Sequence, residues 1–340
     1  MTHQMKAIGF DQPGPINSEG ALRDIELPKP TPRGRDLLVK IEAISVNPVD
    51  SKLRQRPFEE TPPKVLGFDA AGIVEQVGDE AKDFNVGDRV FYAGAINRPG
   101  TNSEFHLVDE RLVGPMPNSV DFPEAAALPL TSITAWEMLF DRLKVKSPPP
   151  QGGNTILIIG GAGGVGSIAI QLLKALTNLT IIATASRPET HDWVKSLGAH
   201  YVVNHNEPLA PQVEALGLEA PGYVFSTTQT HLHFNDIIAI LAPQGRFGLI
   251  DDPEELDARP LKIKSLSLHW ELMFTRSLFS TTDMGEQGKL LKEVSSLIDQ
   301  GKVISTLSKI EGRINAKNLT SAHLQIESGS TKGKIVLKGF

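Results

Sequence analysis

The run Thr155-Ile-Leu-Ile-Ile-Gly-Gly-Ala-Gly-Gly-Val-Gly-Ser167 carries the most legible chemistry in the chain. Gly161, Gly163 and Gly166 stand in the G-x-G-x-x-G register. Glycines let the backbone turn tightly and approach an anion, and a helix starting there offers unpaired N–H groups and the positive end of its dipole. The group such a turn holds is a pyrophosphate. The flanks supply the elements that must position it. An apolar run (Ile156 to Ile159) precedes the glycines, and Val165, Ile168, Ala169, Leu172, Leu173 and Leu176 follow at helical spacing. Strand, glycine turn and helix in that order form a dinucleotide fingerprint. Gly160, Gly161, Ala162, Gly163, Gly164, Val165 and Gly166 are the expected coenzyme contacts.

The next strand, Leu179 to Ala185, decides which dinucleotide. An NAD site usually ends this strand with Asp or Glu, which binds the ribose hydroxyls. Here the strand runs into Ser186, Arg187 and Pro188. An acid repels a 2′-phosphate, whereas a hydroxyl and a guanidinium bind one. A charge-assisted hydrogen bond is worth roughly 1.5–3 kcal/mol. NADPH is therefore expected to be preferred by about ten- to a hundredfold or more. In the alternative, Arg187 is a solvated loop charge and both coenzymes bind. Further along, the strand ends at Ser226 and Ile250 are assigned to the same coenzyme site.

With 340 residues the chain is too long for one small core, and two domains are expected. A net charge of −6 without a long basic run argues against nucleic acid or an anionic membrane as the main partner. The absence of cysteine excludes disulfides, thiolate metal sites and a cysteine nucleophile. The N-terminus lacks an apolar core of signal-peptide length and no run could span a bilayer, so a cytoplasmic protein is expected.

Residues 1 to about 128 read as β-rich, with strands near Leu37–Val46, Ala70–Val77, Asp88–Tyr92 and Ser103–Val108 between Gly and Pro turns. That pattern fits a small antiparallel barrel or sandwich. Phe122–Pro129 is a transition segment, and Thr131–Leu143 is predicted helical. Pro148-Pro-Pro150 and Gly152-Gly153 form a stiff loop. Strands ending near Ile159, Ala185, Val203, Ser226 and Ile250 then alternate with helices over Val165–Thr177, Glu189–Leu197, Leu209–Leu216 and His231–Leu241. This is an α/β, doubly wound parallel sheet. Helices near Leu266–Phe274 and Met284–Gln300 and a strand at Lys334–Lys338 complete the reading.

Val46-Asn-Pro-Val-Asp50, Gly67-Phe-Asp-Ala-Ala-Gly-Ile-Val74, Val86-Gly-Asp-Arg-Val90, Ala125-Ala-Ala-Leu-Pro-Leu-Thr131 and Gly160–Gly166 follow one another in order. Together they resemble the quinone oxidoreductase branch of the medium-chain dehydrogenase/reductase superfamily. Lys264–Arg276 and Asp283–Lys289 resemble a bacterial subgroup labelled zinc-type alcohol dehydrogenase-like. The resemblance implies a GroES-like catalytic domain (1–128 and 281–340) and a Rossmann domain (129–280). Zinc-dependent members supply a cysteine where this chain has Asn47, and Gly-His-Glu where it has Gly67, Phe68 and Asp69. They carry a third ligand near Thr131 and a four-cysteine structural site. Phe68 cannot ligate a metal, so neither a catalytic nor a structural zinc is expected. His231 and His233, two apart on a helix, read as surface residues.

A zinc enzyme activates its substrate oxygen with the metal. Quinones and α,β-unsaturated carbonyls delocalise the added charge and need less help, so the resemblance implies a zinc-independent NADPH:quinone or enone oxidoreductase. Asn47 is expected to hydrogen-bond substrate or nicotinamide ribose, or to be a turn residue before Pro48. Lys52 sits where plant enone reductases also carry lysine; it either stabilises a developing enolate or is a surface residue. Thr131 bonds carboxamide or substrate, caps its helix, or does both. Phe91 and Tyr92 either wall the pocket or lie in the core; Met273 and Phe274 either approach the nicotinamide or, the favoured reading, pack in the core. Asp50 and Asp69 are expected to hold loops. Reduction of plain aldehydes and ketones, or an NADPH-binding sensor with little turnover, are the competing readings. A homodimer is expected by resemblance, with Arg246–Ile250 and Leu261–Leu268 presenting a sheet edge.

Overall fold

Alternating apolar and β-branched residues set the first strands, which close around a shared core. In the computed structural model, which describes residues 3–59, 61–147, 149 and 153–340, the chain forms two units. One comprises Met1–Ile133 and Phe274–Phe340, the other Thr134–Met273. The expected stiff loop lies outside the described residues except for Pro149 and Gly153.

The first unit begins with β1 (Gln4–Phe10), β2 (Arg23–Pro28), β3 (Asp36–Ser45), α1 (Pro48–Gln55), β4 (Lys64–Val65), β5 (Asp69–Val77), β6 (Arg89–Ala93), β7 (Phe105–Asp109) and β8 (Val113–Pro115). Two helices follow, α2 (Phe122–Ala126) and α3 (Pro129–Trp136). The segment expected to be a transition is thus a short helix. Asp121 and Glu124 exchange side-chain-to-backbone bonds of 2.9 and 3.0 Å at its start, a capping box. α3 runs on as a π-helical turn, Glu137–Arg142.

The second unit is built from β9 (Gly153–Ile159), α4 (Gly164–Leu176), β10 (Thr180–Thr184), α5 (Pro188–Leu197), β11 (Tyr201–Val203), α6 (Leu209–Ala215), β12 (Pro221–Ser226), α7 (Thr230–Ile240), β13 (Arg246–Leu249) and β14 (Ser267–Trp270). Its six strands are all parallel, in the order β11-β10-β9-β12-β13-β14. Strand order reverses between β9 and β12, and ligands bind beyond the strand ends at such a switch point. Leu157, Ile182, Val224, Ile237 and Phe247 lie in its core.

The helix expected near Leu266–Phe274 is not there. A 3₁₀ turn (Arg259–Lys264) leads into β14, the edge strand. Leu266, Leu268, Trp270 and Leu272 recur every second residue, which is strand periodicity. Leu266 and Leu268 pack on the core, while Trp270 is half exposed.

The chain then returns to the first unit through α8 (Thr275–Leu278), α9 (Glu286–Asp299), β15 (Leu307–Gly312), α10 (Ala316–Glu327) and β16 (Lys334–Lys338). β16 enters the large sheet between β15 and β3, in the order β15-β16-β3-β5-β6-β8, and β7 also pairs with β3. Ile335 and Leu337 thereby join Leu37, Ile41, Ile44 and Val74 in one core.

Candidate active site

In the second unit, the glycine turn between β9 and α4 is shaped by close contacts. Gly160 adopts φ +80° and donates its N–H to Thr184 Oγ1 at 3.0 Å. A Cβ on Gly166 would sit 2.3 Å from the Gly160 carbonyl oxygen, so the helix can start against the turn only with glycine there. On Gly163, a Cβ would meet nothing nearer than 3.5 Å. Ala162, Gly163, Gly164 and Val165 are half-buried, whereas Gly161 and Gly166 are buried. The fingerprint thus divides into residues that pack and residues that face outward at the helix start. Trp193 Nε1 donates to Ser167 Oγ at 2.8 Å and ties α5 to α4.

Arg187 is the N-cap of α5, ahead of Pro188. Its side chain is 42% exposed and pairs with Glu189 at 3.1 Å. Such an exposed pair is weak, about 0–1 kcal/mol, so a phosphate can displace the carboxylate. Ser186 is half-buried beside it. The side chain of Ser226, a residue assigned to the coenzyme site, is fully buried, donating to the Thr228 carbonyl at 3.4 Å and accepting from Thr230 Oγ1 at 2.8 Å. Ile250 is half-buried at the end of β13, and the next residue, Asp251, accepts the Thr230 N–H at 2.8 Å.

Two residues here escaped the sequence reading. Thr184 Oγ1, which accepts from Gly160, also lies 3.1 Å from His205 Nδ1. Burial, His233 and Arg187 together hold the His205 imidazole below its usual range. A titratable residue directly after β11, at the C-terminal edge of the sheet, was the available signal. His233 is buried as well, contrary to the surface position expected, while His231 is exposed. Burial pushes the His233 imidazole down.

In the first unit a buried polar cluster surrounds Asn47, the N-cap of α1. Its Nδ2 donates to Asp69 Oδ2 at 2.8 Å and its Oδ1 accepts from Lys334 Nζ at 2.5 Å. Lys334 also donates to Asp69 Oδ2 at 3.0 Å and to the Val46 carbonyl at 2.9 Å. Ser45 Oγ adds a 2.6 Å bond to Asp69 Oδ2, and the Leu130 N–H reaches Asp69 Oδ1 at 2.7 Å. Asp69 and Lys334 are both buried. Removing one partner of such a pair costs about 3–5 kcal/mol, because the other charge is left buried alone.

Asp50 accepts the N–H groups of Asn47 at 2.8 Å and Gly67 at 3.1 Å. Burial pushes its carboxyl up to about 7, against those two bonds and the Lys334 charge, with Asp69 adding to the rise. Asp50 and Asp69 therefore hold loops, by geometry as well as by resemblance.

Thr131 lies in the first turn of α3 rather than at its N-cap, and its hydroxyl donates to the Leu128 carbonyl at 3.1 Å. Asp69 links it to Asn47 through the neighbouring Leu130 N–H. Lys52 is exposed on α1, whose buried residues are Asp50, Ser51 and Arg54. Phe91 and Tyr92 are core residues, and the Tyr92 hydroxyl meets His106 Nδ1 at 3.0 Å. Phe274 packs against Phe68, ring centroids 4.7 Å apart.

These residues do not fit a zinc ion. Phe68 offers no donor atom and packs against Phe274 with the rings tilted by 56°. The oxygens of Asn47 and Asp69 already face an ammonium. No cysteine exists anywhere in the chain.

Residues 33–118 match the alcohol dehydrogenase GroES-like domain family, and residues 164–292 match the zinc-binding dehydrogenase family. A zinc-type alcohol dehydrogenase-like protein of Staphylococcus aureus is 41% identical over 98% of this chain and 99% of its own length. Human quinone oxidoreductase is 35% identical over 91% of this chain and 90% of its own. Among solved structures, a Rhizobium etli protein provisionally named a zinc-dependent alcohol dehydrogenase is 57% identical with a TM-score of 0.99, covering 100% of this chain and 99% of that one. A mycobacterial protein solved with NADPH is 29% identical with a TM-score of 0.81, covering 98% and 99%. Fold, glycine turn and relatives agree: the chain belongs to the medium-chain dehydrogenase/reductase superfamily, in its quinone oxidoreductase-like branch.

Proposed function

We propose that this protein is a zinc-independent, NADPH-dependent reductase of quinones and α,β-unsaturated carbonyls. The observation that carries the reading is Phe68, packed against Phe274 where zinc-dependent members place a ligand. Without a Lewis acid, the favoured acceptors are those that spread the incoming negative charge over a conjugated system. NADPH, when bound, would supply the hydride. The turn Gly160–Gly166 and the start of α4 hold the pyrophosphate, and Ser186 and Arg187 take the 2′-phosphate. Asn47 and Thr131 orient the acceptor, Lys52 steadies the oxyanion that hydride addition leaves, and water supplies the proton. The partners are small-molecule electrophiles and a second copy of the chain, in the cytoplasm. Among the described residues no helix is long and apolar enough to cross a membrane.

The test is NADPH oxidation, followed by its near-ultraviolet absorbance, in metal-free buffer with chelator. The acceptors are 9,10-phenanthrenequinone and a medium-chain 2-alkenal. Turnover indifferent to the chelator is expected. Turnover abolished by chelator, or absent with every acceptor, would overturn the reading.

A further inference from the structure

Two carboxyl groups are buried together in the second unit and take no part in the chemistry above. Glu137 opens the π-helical turn and Glu271 directly follows the edge strand β14. Both are buried, and their side chains are hydrogen-bonded to each other. A carboxylate only accepts, so a bond between two carboxyls requires a proton on one of them. The π-helical geometry, marked by the Leu143 N–H donating to the Met138 carbonyl at 2.8 Å, brings residues five apart closer to one line than an α-helix does. Arg142 thereby meets the same acids, its Nε 2.7 Å from Glu271 Oε2. One guanidinium serves two buried acids, and a shared proton balances the second. Burial pushes the Glu271 carboxyl up to about 8, with Glu137 adding to the rise and Arg142 opposing it. Next along β14, burial together with Arg246, Arg142 and Lys144 holds the His269 imidazole low, so it is neutral where the acids titrate. Arg246 also donates to the Leu143, Lys144 and Ser147 carbonyls at 2.7, 3.1 and 2.8 Å, which ties the end of the turn to β13 at any pH.

We infer that Glu137 and Glu271 share one proton and form a latch between the π-helical turn and the edge strand β14, closed while the proton is held and released when it leaves. With the proton gone, two carboxylates face each other beside one guanidinium, and the bond becomes a repulsion. The folded-state value lies above the usual 4.5, so the latch contributes in full below about 4.5 and is lost as the pH climbs through about 8. β14 has only β13 beside it among the described residues, so the latch acts on the strand with least support. This edge is also the surface expected to meet a second copy of the chain. The consequence for pairing, though not the latch itself, rests on that reading.

Amide hydrogen exchange on the full chain decides it. Protection of residues 267–271, taken relative to β9, should fall at least tenfold between about pH 7 and about pH 9.5, with its midpoint near 8. In E137Q the amide donates to the Glu271 carboxylate without a titrating proton, and E271Q reverses the roles. Protection should stay flat in both. R142M leaves the acids without their cation, and its midpoint should lie above that of the wild type. A wild type without the fall, or a fall that survives in E137Q and E271Q, would overturn the inference. So would an R142M midpoint at or below the wild-type value. In light scattering the wild type should pass from twice the chain mass to once as the pH rises, and E137Q should remain paired. If the wild type is a monomer at every pH, the second-copy reading fails on its own, while the exchange data still decide the latch.

Discussion

His106 is buried with its Nε2 at 3.0 Å from the Pro99 carbonyl and its Nδ1 against the Tyr92 hydroxyl. Burial pushes its imidazole from 6.5 down to about 4, and pushes that of His323, beside Arg54, down to about 3. A depressed folded-state pKa means that the unfolded chain takes up the proton first. The stability these histidines contribute is complete above about 6.5 and is lost as the pH falls through about 4. Urea midpoints should therefore drop between pH 6.5 and 4, and H106Q, which keeps two polar contacts but cannot titrate, should show a shallower drop. An equal slope in H106Q would place the acid sensitivity elsewhere. Asp50 works in the opposite sense. With its carboxyl raised to about 7, its contribution is present below about 4 and is lost as the pH climbs through 7. For the coenzyme, R187A should raise the KM for NADPH by about ten- to a hundredfold, the loss of one charge-assisted bond, and leave that for NADH within about twofold. Equal effects on both coenzymes would mean that Arg187 does not meet the 2′-phosphate. K52M should lower kcat about tenfold with NADPH affinity intact if its ammonium steadies the oxyanion; an unchanged kcat would return Lys52 to the solvent-facing surface.

The turn between β9 and α4 separates folding from binding within seven residues. G166A drives a Cβ into the Gly160 carbonyl and should lower the melting temperature by several degrees. G163A meets only an ordinary 3.5 Å contact. It should melt like the wild type and, on the proposed pyrophosphate contact, bind NADPH more weakly. A melting temperature lowered equally in both would refute that division. This turn was legible in the sequence because strand, glycines and helix are contiguous, and local pattern carries all the information. β14 was misread because its apolar residues, two apart, end in Met273 and Phe274, which lengthen the run enough to suggest a helix. α1, α10 and β15 were missed because Pro48-Val-Asp-Ser and the polar faces of Ala316–Glu327 and Leu307–Gly312 give little periodic signal. Lys334 could be seen only as the first residue of an apolar strand. Its partners Asn47 and Asp69 lie far off in sequence, and nothing local announces a contact that only the closed sheet creates.

At the scale of the molecule, β14 ends the six-stranded sheet with an edge that is unpaired among the described residues, and Trp270, Leu272 and Ile263 are 52%, 50% and 88% exposed. An open edge with apolar neighbours is a pairing surface. Light scattering should give twice the chain mass, and W270R should shift it towards the monomer; a monomeric wild type would sink the dimer. The two units also differ in how the chain builds them. Thr134–Met273 is continuous, whereas the other unit is completed only by Phe274–Phe340. Its strand β16 sits inside the large sheet, between β15 and β3, and brings the ammonium that Asp69 and Asn47 await. On the ribosome the continuous unit Thr134–Met273 can therefore mature first, while the other stays open until β16 has emerged. A nascent chain without β16 would hold an unzipped sheet and an uncompensated acid at Asp69, making the arrival of that one strand a built-in checkpoint between a defective product and a working enzyme.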